Sequence, residues 1–280
     1  MTLSAEILIP KLAALSPSYQ RIVLFPALEQ NLGLNLSNRK AIRAALKIPV
    51  NSLRAFFGCF AFARAGGERA GYGNICIDLL SVQNQYKDGE HLLADFRRAC
   101  RERRIGTNDK LTSDIVLNGF TRHFGTDKAV SWLFEAGSKI RQTGIIRPLY
   151  LDLLSIRGIG EKIAAFLCRD LVWIFDCEDR LLPAEKLLIQ PIDTWVRSIL
   201  LEFWPEFKKV AARPSVDFLL ASSICAAIEK MQQSCVEFNQ GSWYFGSRCV
   251  GNVSNLTARL AQLQLSEVKP WVTMYRKFDL

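Results

Sequence analysis

Apolar residues recur at helical spacing along nearly the whole chain, whereas the strict alternation that is typical of half-buried strands is scarce. In one example, Leu92, Phe96, Ala99 and Cys100 fall on a single stripe of a helix. Glycine, proline and asparagine clusters separate segments of ordinary helix length, and no period of roughly 20 to 50 residues repeats. We therefore predict an all-α protein of about ten helices, with residues 22–25 as the one candidate strand.

A face rich in arginine lies largely opposite that stripe, at Arg97, Arg98, Arg101 and Arg104. The chain of 280 residues has 36 Lys+Arg and 27 Asp+Glu, a formal net charge of +9. This excess indicates a polyanion partner only weakly, because a charged helix face is most often simply solvated. We therefore interpret the arginine face as solvated rather than as a surface that contacts DNA.

The eight cysteines form no C-x-x-C pair, and the chain has two histidines, His91 and His123. Disulfide frameworks belong to short secreted chains, and zinc or iron–sulfur sites need closer ligand spacing. So few histidines also disfavour a catalytic triad or a histidine-rich metal enzyme. We predict no bound metal and free, mostly buried thiols at Cys59, Cys76, Cys100, Cys168, Cys177, Cys225, Cys235 and Cys249.

Segments that target a chain to a membrane are not apparent. No apolar run approaches the ~18 residues that a membrane span needs, and the start lacks the basic-then-apolar layout of a signal peptide. We therefore expect a protein without membrane contact, located inside the cell in the cytoplasm or nucleoid. We also expect it to be a monomer.

The most informative stretch is residues 153–169, LLSIRGIGEKIAAFLCR. Apolar residues end one helix before Gly158-Ile159-Gly160, and apolar residues at helical spacing begin a second helix after it. Backbone N–H groups from Gly158 to Lys162 would then be exposed at the turn and at a helix start, where they form an anion site suited to phosphate. Helix corners also use such glycines for packing alone, so the context of the motif matters.

The run IRGIGEKIA, residues 156–164, resembles the helix-hairpin-helix of the DNA glycosylase superfamily typified by endonuclease III, where L-P-G-V-G-x-K-x-A is usual. Arg157 stands where that pattern has proline. Downstream, PIDTWVR at residues 191–197 is similar to the family's P-V-D-T-H-V-x-R. Upstream, LLSVQ at residues 79–83 is similar to its L-L-S-x-Q. The resemblance covers about residues 75 to 250, and residues 1–70 match no known motif.

The resemblance assigns roles to three residues. It places Lys162 and Asp193 at the family's catalytic lysine and aspartate, and Gln83 at the glutamine that enters the duplex where the damaged nucleotide leaves. Gln83 precedes Lys162 by 79 residues, which is close to the family's interval.

Lysine and aspartate also suit this chemistry on general grounds. Base excision with strand nicking needs an amine that attacks the sugar C1′ and forms a Schiff base. The amine must be neutral to attack, and we expect burial beside an apolar wall to favour that form. The carboxylate of Asp193 would stabilise the cationic sugar. Two alternatives stay open: Lys162 as an ordinary solvated lysine, and Asp193 as a helix N-cap, a role that is compatible with catalysis.

Two departures from the endonuclease III pattern bear on the substrate. Lys162 and Asp193 are 31 residues apart, and the longer connection, about residues 176–190, looks more like that of the archaeal-type 8-oxoguanine glycosylases. Cys249 lies near the point where endonuclease III begins its iron–sulfur loop, but no cysteine follows it. The resemblance therefore implies no iron–sulfur cluster and favours an oxidised purine.

The sequence indicates the DNA contacts and the pocket for a flipped base less specifically than it indicates the hairpin. Lys139, Arg141 and Arg197 are candidates for phosphate contacts beside the hairpin residues Gly158, Ile159 and Gly160. A flipped base is usually stacked on aromatic rings and read by polar side chains. The candidates for these roles, each of which fits a core position equally well, are Trp195, Trp243, Tyr244, Phe245, Asn239 and Gln240.

These features together predict two helical subdomains with an active-site cleft between them: residues 1–83 with 191–280, and residues 84–190, which end in the hairpin. The implied function is a bifunctional DNA glycosylase and abasic-site lyase that excises an oxidised base, preferably 8-oxoguanine, from double-stranded DNA. We expect no cofactor beyond a monovalent cation at the hairpin. The alternatives are a glycosylase for oxidised pyrimidines, a glycosylase without lyase activity, and a non-catalytic DNA-binding module.

Overall fold

The computed structural model describes residues 3–62, 68–82, 86, 88–106, 110–123, 130–210 and 213–272. Every regular element in these ranges is a helix, which confirms the predicted all-α class. The α-helices are α1 (Ala5–Ala13), α2 (Ser16–Tyr19), α3 (Phe25–Leu32), α4 (Arg39–Leu46), α5 (Pro49–Ala55), α6 (Glu68–Val82), α7 (Gly89–Glu102), α8 (Lys110–Arg122), α9 (Trp132–Thr143), α10 (Arg147–Leu154), α11 (Glu161–Phe175), α12 (Thr194–Phe203), α13 (Arg213–Lys230), α14 (Cys235–Tyr244), α15 (Leu256–Leu265) and α16 (Lys269–Val272). Three π-helical segments, Gln20–Leu24, Phe56–Ala61 and Phe245–Val250, continue α2, α5 and α14, and 3₁₀ turns lie at Glu178–Arg180, Pro183–Ile189, Pro205–Lys209 and Val253–Asn255.

The described residues contain sixteen α-helices, more than the sequence pattern predicts. The excess arises because helices such as α2 and α16 have four residues each, too few to show a helical period. Over the same ranges, none of the helices is both long and apolar enough to cross a lipid bilayer.

The predicted strand at residues 22–25 is wrong. Gln20–Leu24 is π-helical, and α3 follows it without a break. β-Branched residues favour a strand locally, but Leu24, Leu28 and Leu32 are all buried. Their spacing is helical, so packing of these leucines overrides the local preference.

Two compact units divide the chain. The terminal unit comprises Met1–Val23 with Pro183–Leu280, and the central unit comprises Leu24–Leu182. The predicted subdomains also joined both termini, but they placed residues 24–83 with the termini, and in the structure those residues belong to the central unit.

An aromatic cluster connects part of this segment, from Phe56 to Tyr72, to the rest of the central unit. The Phe56 ring centroid lies 5.3 Å from that of Phe57 and 5.5 Å from that of Trp132, which begins α9. The Phe62 and Tyr72 rings continue the cluster toward α6, with centroids 5.9 Å apart. These rings attach α6 and the π-helical continuation of α5 to α9. No run of helix-breaking residues in the sequence marks the boundary between Val23 and Leu24.

The terminal unit is built around α14, which packs against α1, α2 and α12. Phe238 and Tyr244 of α14 are fully buried in its core. A Cβ at Gly241 would lie 1.8 Å from the carbonyl oxygen of Leu12, so α1 and α14 approach closely only because residue 241 is glycine.

The central unit has α11 as its core helix, in contact with α4, α9 and α10. Every residue from Ala164 to Phe175 is buried. Two of these residues are charged: Arg169 donates from Nε and Nη2 to Oδ1 of Asp170 at 2.9 and 2.7 Å. The guanidinium also lies 4.8 Å from the centroid of the Phe166 ring. A helix that is buried on all sides fixes the position of the hairpin at its start.

All eight cysteines are free thiols and all except Cys225 are buried, as predicted. Burial raises the pKa of the Cys177 thiol to about 11 and the pKa of the Cys249 thiol to about 12. These thiols therefore stay protonated at neutral pH, which suits a packing role rather than a reactive one.

Candidate functional site

A tight turn joins α10 to α11 at the predicted hairpin. The N–H groups of Ser155 and Ile156 donate to carbonyl oxygens of α10 at 3.0 and 3.1 Å and end that helix. Gly158 has a φ of 100°, a conformation that favours glycine. The N–H of Ile159 then donates to the carbonyl oxygen of Ile156 at 3.0 Å, and both isoleucine side chains are buried. The structure thus has two helices joined by a Gly-x-Gly turn that is anchored in the core.

The first turn of α11 presents backbone N–H groups without a side-chain cap. Gly160 is the N-cap residue, and its carbonyl oxygen accepts a hydrogen bond from the N–H of Ala164 at 3.1 Å. The N–H groups of residues 161–163 project from the start of the helix, where the helix dipole favours an anion. A Cβ at Gly160 would meet no heavy atom within 4 Å. The protein's own packing therefore does not require glycine here, whereas a closely approaching ligand would.

One contact of this turn was not visible in the sequence. Oδ2 of Asp114, in α8, accepts a hydrogen bond from the N–H of Arg157 at 2.9 Å. The two residues are 43 positions apart, and helical periodicity predicts contacts only between residues a few positions apart. This carboxylate ties the turn to α8 and occupies the Arg157 N–H, and the Ile159 N–H is bonded to Ile156, so an anion at this turn would be limited to the remaining N–H groups.

Lys162 lies in the first turn of α11 with an exposed side chain. The expectation that it is buried beside an apolar wall is therefore wrong. The unbroken buried stretch of α11 begins only at Ala164, two positions later. An exposed lysine at a helix start is positioned to meet a phosphate or a sugar without displacing a protein group.

Asp193 is the N-cap residue of α12. Its Oδ1 accepts a hydrogen bond from the N–H of Val196 at 2.8 Å, and its backbone is extended, with φ −85° and ψ −175°. This is the N-cap role that the sequence pattern also allowed. The cap holds the carboxylate in one orientation.

A buried amide supports the backbone before Asp193. Asn239 donates from Nδ2 to Oε1 of Gln190 at 3.3 Å and to the carbonyl oxygen of Pro191 at 3.5 Å. That carbonyl oxygen also accepts a hydrogen bond from the N–H of Asp193 at 3.1 Å. Asn239 and Gln240 are both fully buried, so the structure places them in supporting networks rather than in an open base pocket.

The aromatic candidates for base stacking pack within the terminal unit. The Trp243 ring meets the Tyr19 ring edge-on, with centroids 5.6 Å apart. The half-buried Trp195 lies against Gly246, where a Cβ would come within 2.7 Å of its side chain. The other two candidates are fully buried, Tyr244 and Phe245. These positions agree with the alternative that the aromatic residues belong to the core.

The three candidates for phosphate contacts differ in their surroundings. Lys139 and Arg141 are exposed on α9, in the unit that carries the hairpin. Arg197 instead forms an ion pair with Asp217 of α13. The prediction for Arg197 is corrected accordingly: its charge is neutralised within the terminal unit by a carboxylate 20 positions away, which the motif itself could not reveal.

No family model, curated protein or solved structure matches this chain. The resemblance to helix-hairpin-helix glycosylases therefore rests on the chain's own motifs, and the function is argued from the residues described above.

Two predictions for the site stay predictions. Gln83 lies outside the described residues. The contacts described at the hairpin do not test the expectation of a monovalent cation there. In the described part of the chain, no three His, Cys, Asp or Glu side chains are grouped so that they could hold a metal ion.

Proposed function

We propose that this protein is a DNA glycosylase with abasic-site lyase activity on an oxidised base, 8-oxoguanine in preference to an oxidised pyrimidine. The observation that carries the proposal is the hairpin: the uncapped N–H groups of residues 161–163 and the sterically open Gly160 lie beside the exposed side chain of Lys162. A strand phosphate bound by these N–H groups would bring a neighbouring sugar within reach of the lysine amine.

Lys162 supplies the nucleophile in this proposal. Its Nζ gives up a proton to solvent and attacks C1′ of the sugar as the free amine, and the bond from C1′ to the base breaks with its electron pair, so that the departing base takes up a proton. Opening of the sugar ring then gives a Schiff base between Nζ and C1′. Loss of a C2′ proton from this species expels the 3′ phosphate and nicks the strand, and water finally releases the lysine.

Asp193 supplies a negative charge whose orientation is fixed before the reaction starts. The hydrogen bond from Val196 N–H holds Oδ1, and Asn239 supports the preceding backbone through the Pro191 carbonyl oxygen. A carboxylate that is already oriented stabilises the positive charge developing on the sugar without reorganising.

A non-catalytic DNA-binding module is the second candidate, and the exposure of Lys162 is the observation that favours it. An exposed lysine beside uncapped N–H groups suits a simple backbone contact, in which it neutralises a phosphate. Asp193 would then serve only as the cap of α12. The two functions differ in whether the base leaves the duplex.

The deciding experiment is a panel of duplexes that each contain one lesion, including 8-oxoguanine and oxidised pyrimidines. Base release, strand nicking and covalent trapping with borohydride are measured for the wild type, Lys162→Gln and Asp193→Asn. Lys230→Gln, which changes an exposed lysine at the end of α13, is the matched control.

We expect the wild type and Lys230→Gln to release a base and to be trapped on DNA, and Lys162→Gln not to be trapped. Base release without trapping would remove the lyase activity from the proposal. Failure of the wild type to release any base, together with weaker DNA binding by Lys162→Gln and wild-type DNA binding by Asp193→Asn, would establish the binding module instead.

A further inference from the structure

A second cationic feature of the central unit lies between α4 and α9, beside the C-terminal end of α11. A cavity of about 370 Å³ there is lined by Lys40, Arg43, Lys47 and Arg141. Among the residues that the structure describes, no carboxylate lines this cavity. We refer to it as the α4–α9 cleft.

Helical geometry gathers these four cations on two facing stripes. Lys40, Arg43 and Lys47 are spaced by three and four residues, so they share one face of α4 and its C-cap. On α9, Ser138 and Arg141 are three residues apart and face the same cavity. Asn38 caps the start of α4, where its Oδ1 accepts a hydrogen bond from the N–H of Ala41 at 3.0 Å.

Two of the cleft's cations, Arg43 and Lys47, are held in place without being neutralised. Arg43 donates from Nη1 to the carbonyl oxygen of Ile174 at 2.6 Å, and Nζ of Lys47 lies 5.2 Å from the centroid of the Phe134 ring. Neither contact brings a negative charge. Arg39, one residue before Lys40 and outside the cleft, is by contrast paired with Asp176.

The other face of α9 does not share this accumulation of one sign. A neighbouring cavity of about 320 Å³ is lined by Lys139, but also by Glu135 and Asp152. Charges of both signs are therefore mixed on that face. Four like charges around one cavity repel each other, and an anionic ligand relieves the repulsion.

We propose that the α4–α9 cleft binds phosphate groups, either two or three successive phosphates of a nucleic-acid strand or those of a free nucleoside polyphosphate. Guanidinium groups bind phosphate oxygens through paired N–H donors, and lysine ammonium groups bind them as point charges. At 1.5 Å per residue, Lys40 to Lys47 spans about 10 Å, long enough to face several successive phosphates of one strand, which rises about 3.4 Å per nucleotide.

This site is separate from the hairpin of the proposed function. The hairpin precedes Glu161, and the cleft is lined by Phe175 at the other end of the same helix. At 1.5 Å per residue, these ends are about 21 Å apart. The cleft proposal does not depend on base excision, because it concerns binding alone.

The test removes two of the four charges with Lys40→Gln/Lys47→Gln. The matched control, Arg97→Gln/Arg101→Gln, removes two charges from the exposed arginine face of α7 in the same unit. Arg141→Gln repeats the test with one substitution on the facing helix. Affinity for inorganic tripolyphosphate is measured by calorimetry, and affinity for an undamaged duplex of about 20 base pairs is measured by fluorescence anisotropy against salt concentration.

We expect the cleft double variant to lose about tenfold in tripolyphosphate affinity, Arg141→Gln to lose less, and the control to change less than about twofold. A duplex salt slope lowered by about 2 in the cleft variant identifies a nucleic-acid strand as the ligand. An unchanged duplex slope with weakened tripolyphosphate binding identifies a free polyphosphate. Unchanged tripolyphosphate affinity in the cleft variants, or an equal loss in the control, overturns the proposal.

Lys162→Gln is measured alongside these variants because it reports on the hairpin. If the wild type releases a base and the cleft variants keep wild-type affinity for tripolyphosphate, the glycosylase proposal stands and the cleft proposal is removed. Phosphate binding that depends on the cleft, without any base release, would do the reverse.

Discussion

Oδ1 of Asp193 accepts a hydrogen bond from the backbone N–H of Val196 at 2.8 Å. The cap and the proposed catalytic charge can be separated, because asparagine keeps the accepting oxygen and alanine does not. We expect Asp193→Asn to change the free energy of unfolding by less than about 0.5 kcal/mol and Asp193→Ala to lower it by about 1 kcal/mol. Both variants should lose base release. Base release is assayed on the same protein preparations whose stability is measured by urea unfolding. Wild-type base release by Asp193→Asn would show that the carboxylate acts only as a cap.

The two glycines of the hairpin should respond differently to alanine. Gly158 has a φ of 100°, so Gly158→Ala should lower the free energy of unfolding by about 1 to 2 kcal/mol. Gly160→Ala meets no heavy atom within 4 Å and should keep wild-type stability. It should nevertheless weaken duplex binding by about tenfold, since its Cβ would enter the space of a bound phosphate. Wild-type DNA affinity of Gly160→Ala would argue against a phosphate at this helix start.

The buried ion pair of Arg169 and Asp170 should be costly to break. Both side chains are 0% exposed, so Asp170→Ala removes a carboxylate from a guanidinium that is buried in the core. We expect the free energy of unfolding to fall by about 3 to 5 kcal/mol. Asp78→Ala is the matched control, because its pair with Arg103 is 55% and 45% exposed and should change stability by less than about 1 kcal/mol. Chemical denaturation measures both, and equal losses would contradict this account.

His123 should make stability depend on pH. Its Nδ1–H donates to the carbonyl oxygen of Gly119 at 2.8 Å, and its Nε2 accepts from the Ser52 hydroxyl at 3.2 Å. Burial lowers the pKa of His123 from 6.5 to about 4. Below pH 6.5 the unfolded chain therefore binds a proton that the folded protein does not, and the free energy of unfolding decreases until about pH 4.

The expected decrease from His123 is about 3 kcal/mol between neutral pH and pH 4, at about 1.4 kcal/mol per pKa unit. Urea unfolding at these two pH values should show a smaller pH-dependent loss in His123→Gln than in the wild type. NMR titration of the ring protons gives the folded-state pKa directly. A midpoint near 6.5 would contradict the buried, neutral histidine.

The local features of the site could be predicted because they act within a few residues. Gly158 sets the turn through its positive φ, Gly160 is the N-cap residue of α11, and Asp193 caps the helix that begins immediately after it. The all-α class follows for the same reason, since helical spacing of apolar residues is a local pattern. Each of these depends on chemistry that the sequence displays directly.

The rest depended on contacts between distant parts of the chain. Asp114 reaches the hairpin turn from 43 positions away, and Asp217 neutralises Arg197 from 20 positions away. The cleft joins Lys40 and Arg141, which no spacing rule connects. Such contacts depend on how helices pack, and a single sequence carries no periodic signal for them.

The burial of the cysteines has a practical consequence. Only Cys225 is half-buried rather than buried, and its Sγ donates to the carbonyl oxygen of Lys186 at 3.7 Å within the terminal unit. Maleimide dyes react with accessible thiols, so the native protein should take up a single fluorophore at one known position. Energy-transfer distances from that fluorophore to labelled nucleic acid can then be measured on the natural chain, without first replacing seven thiols that fill its interior.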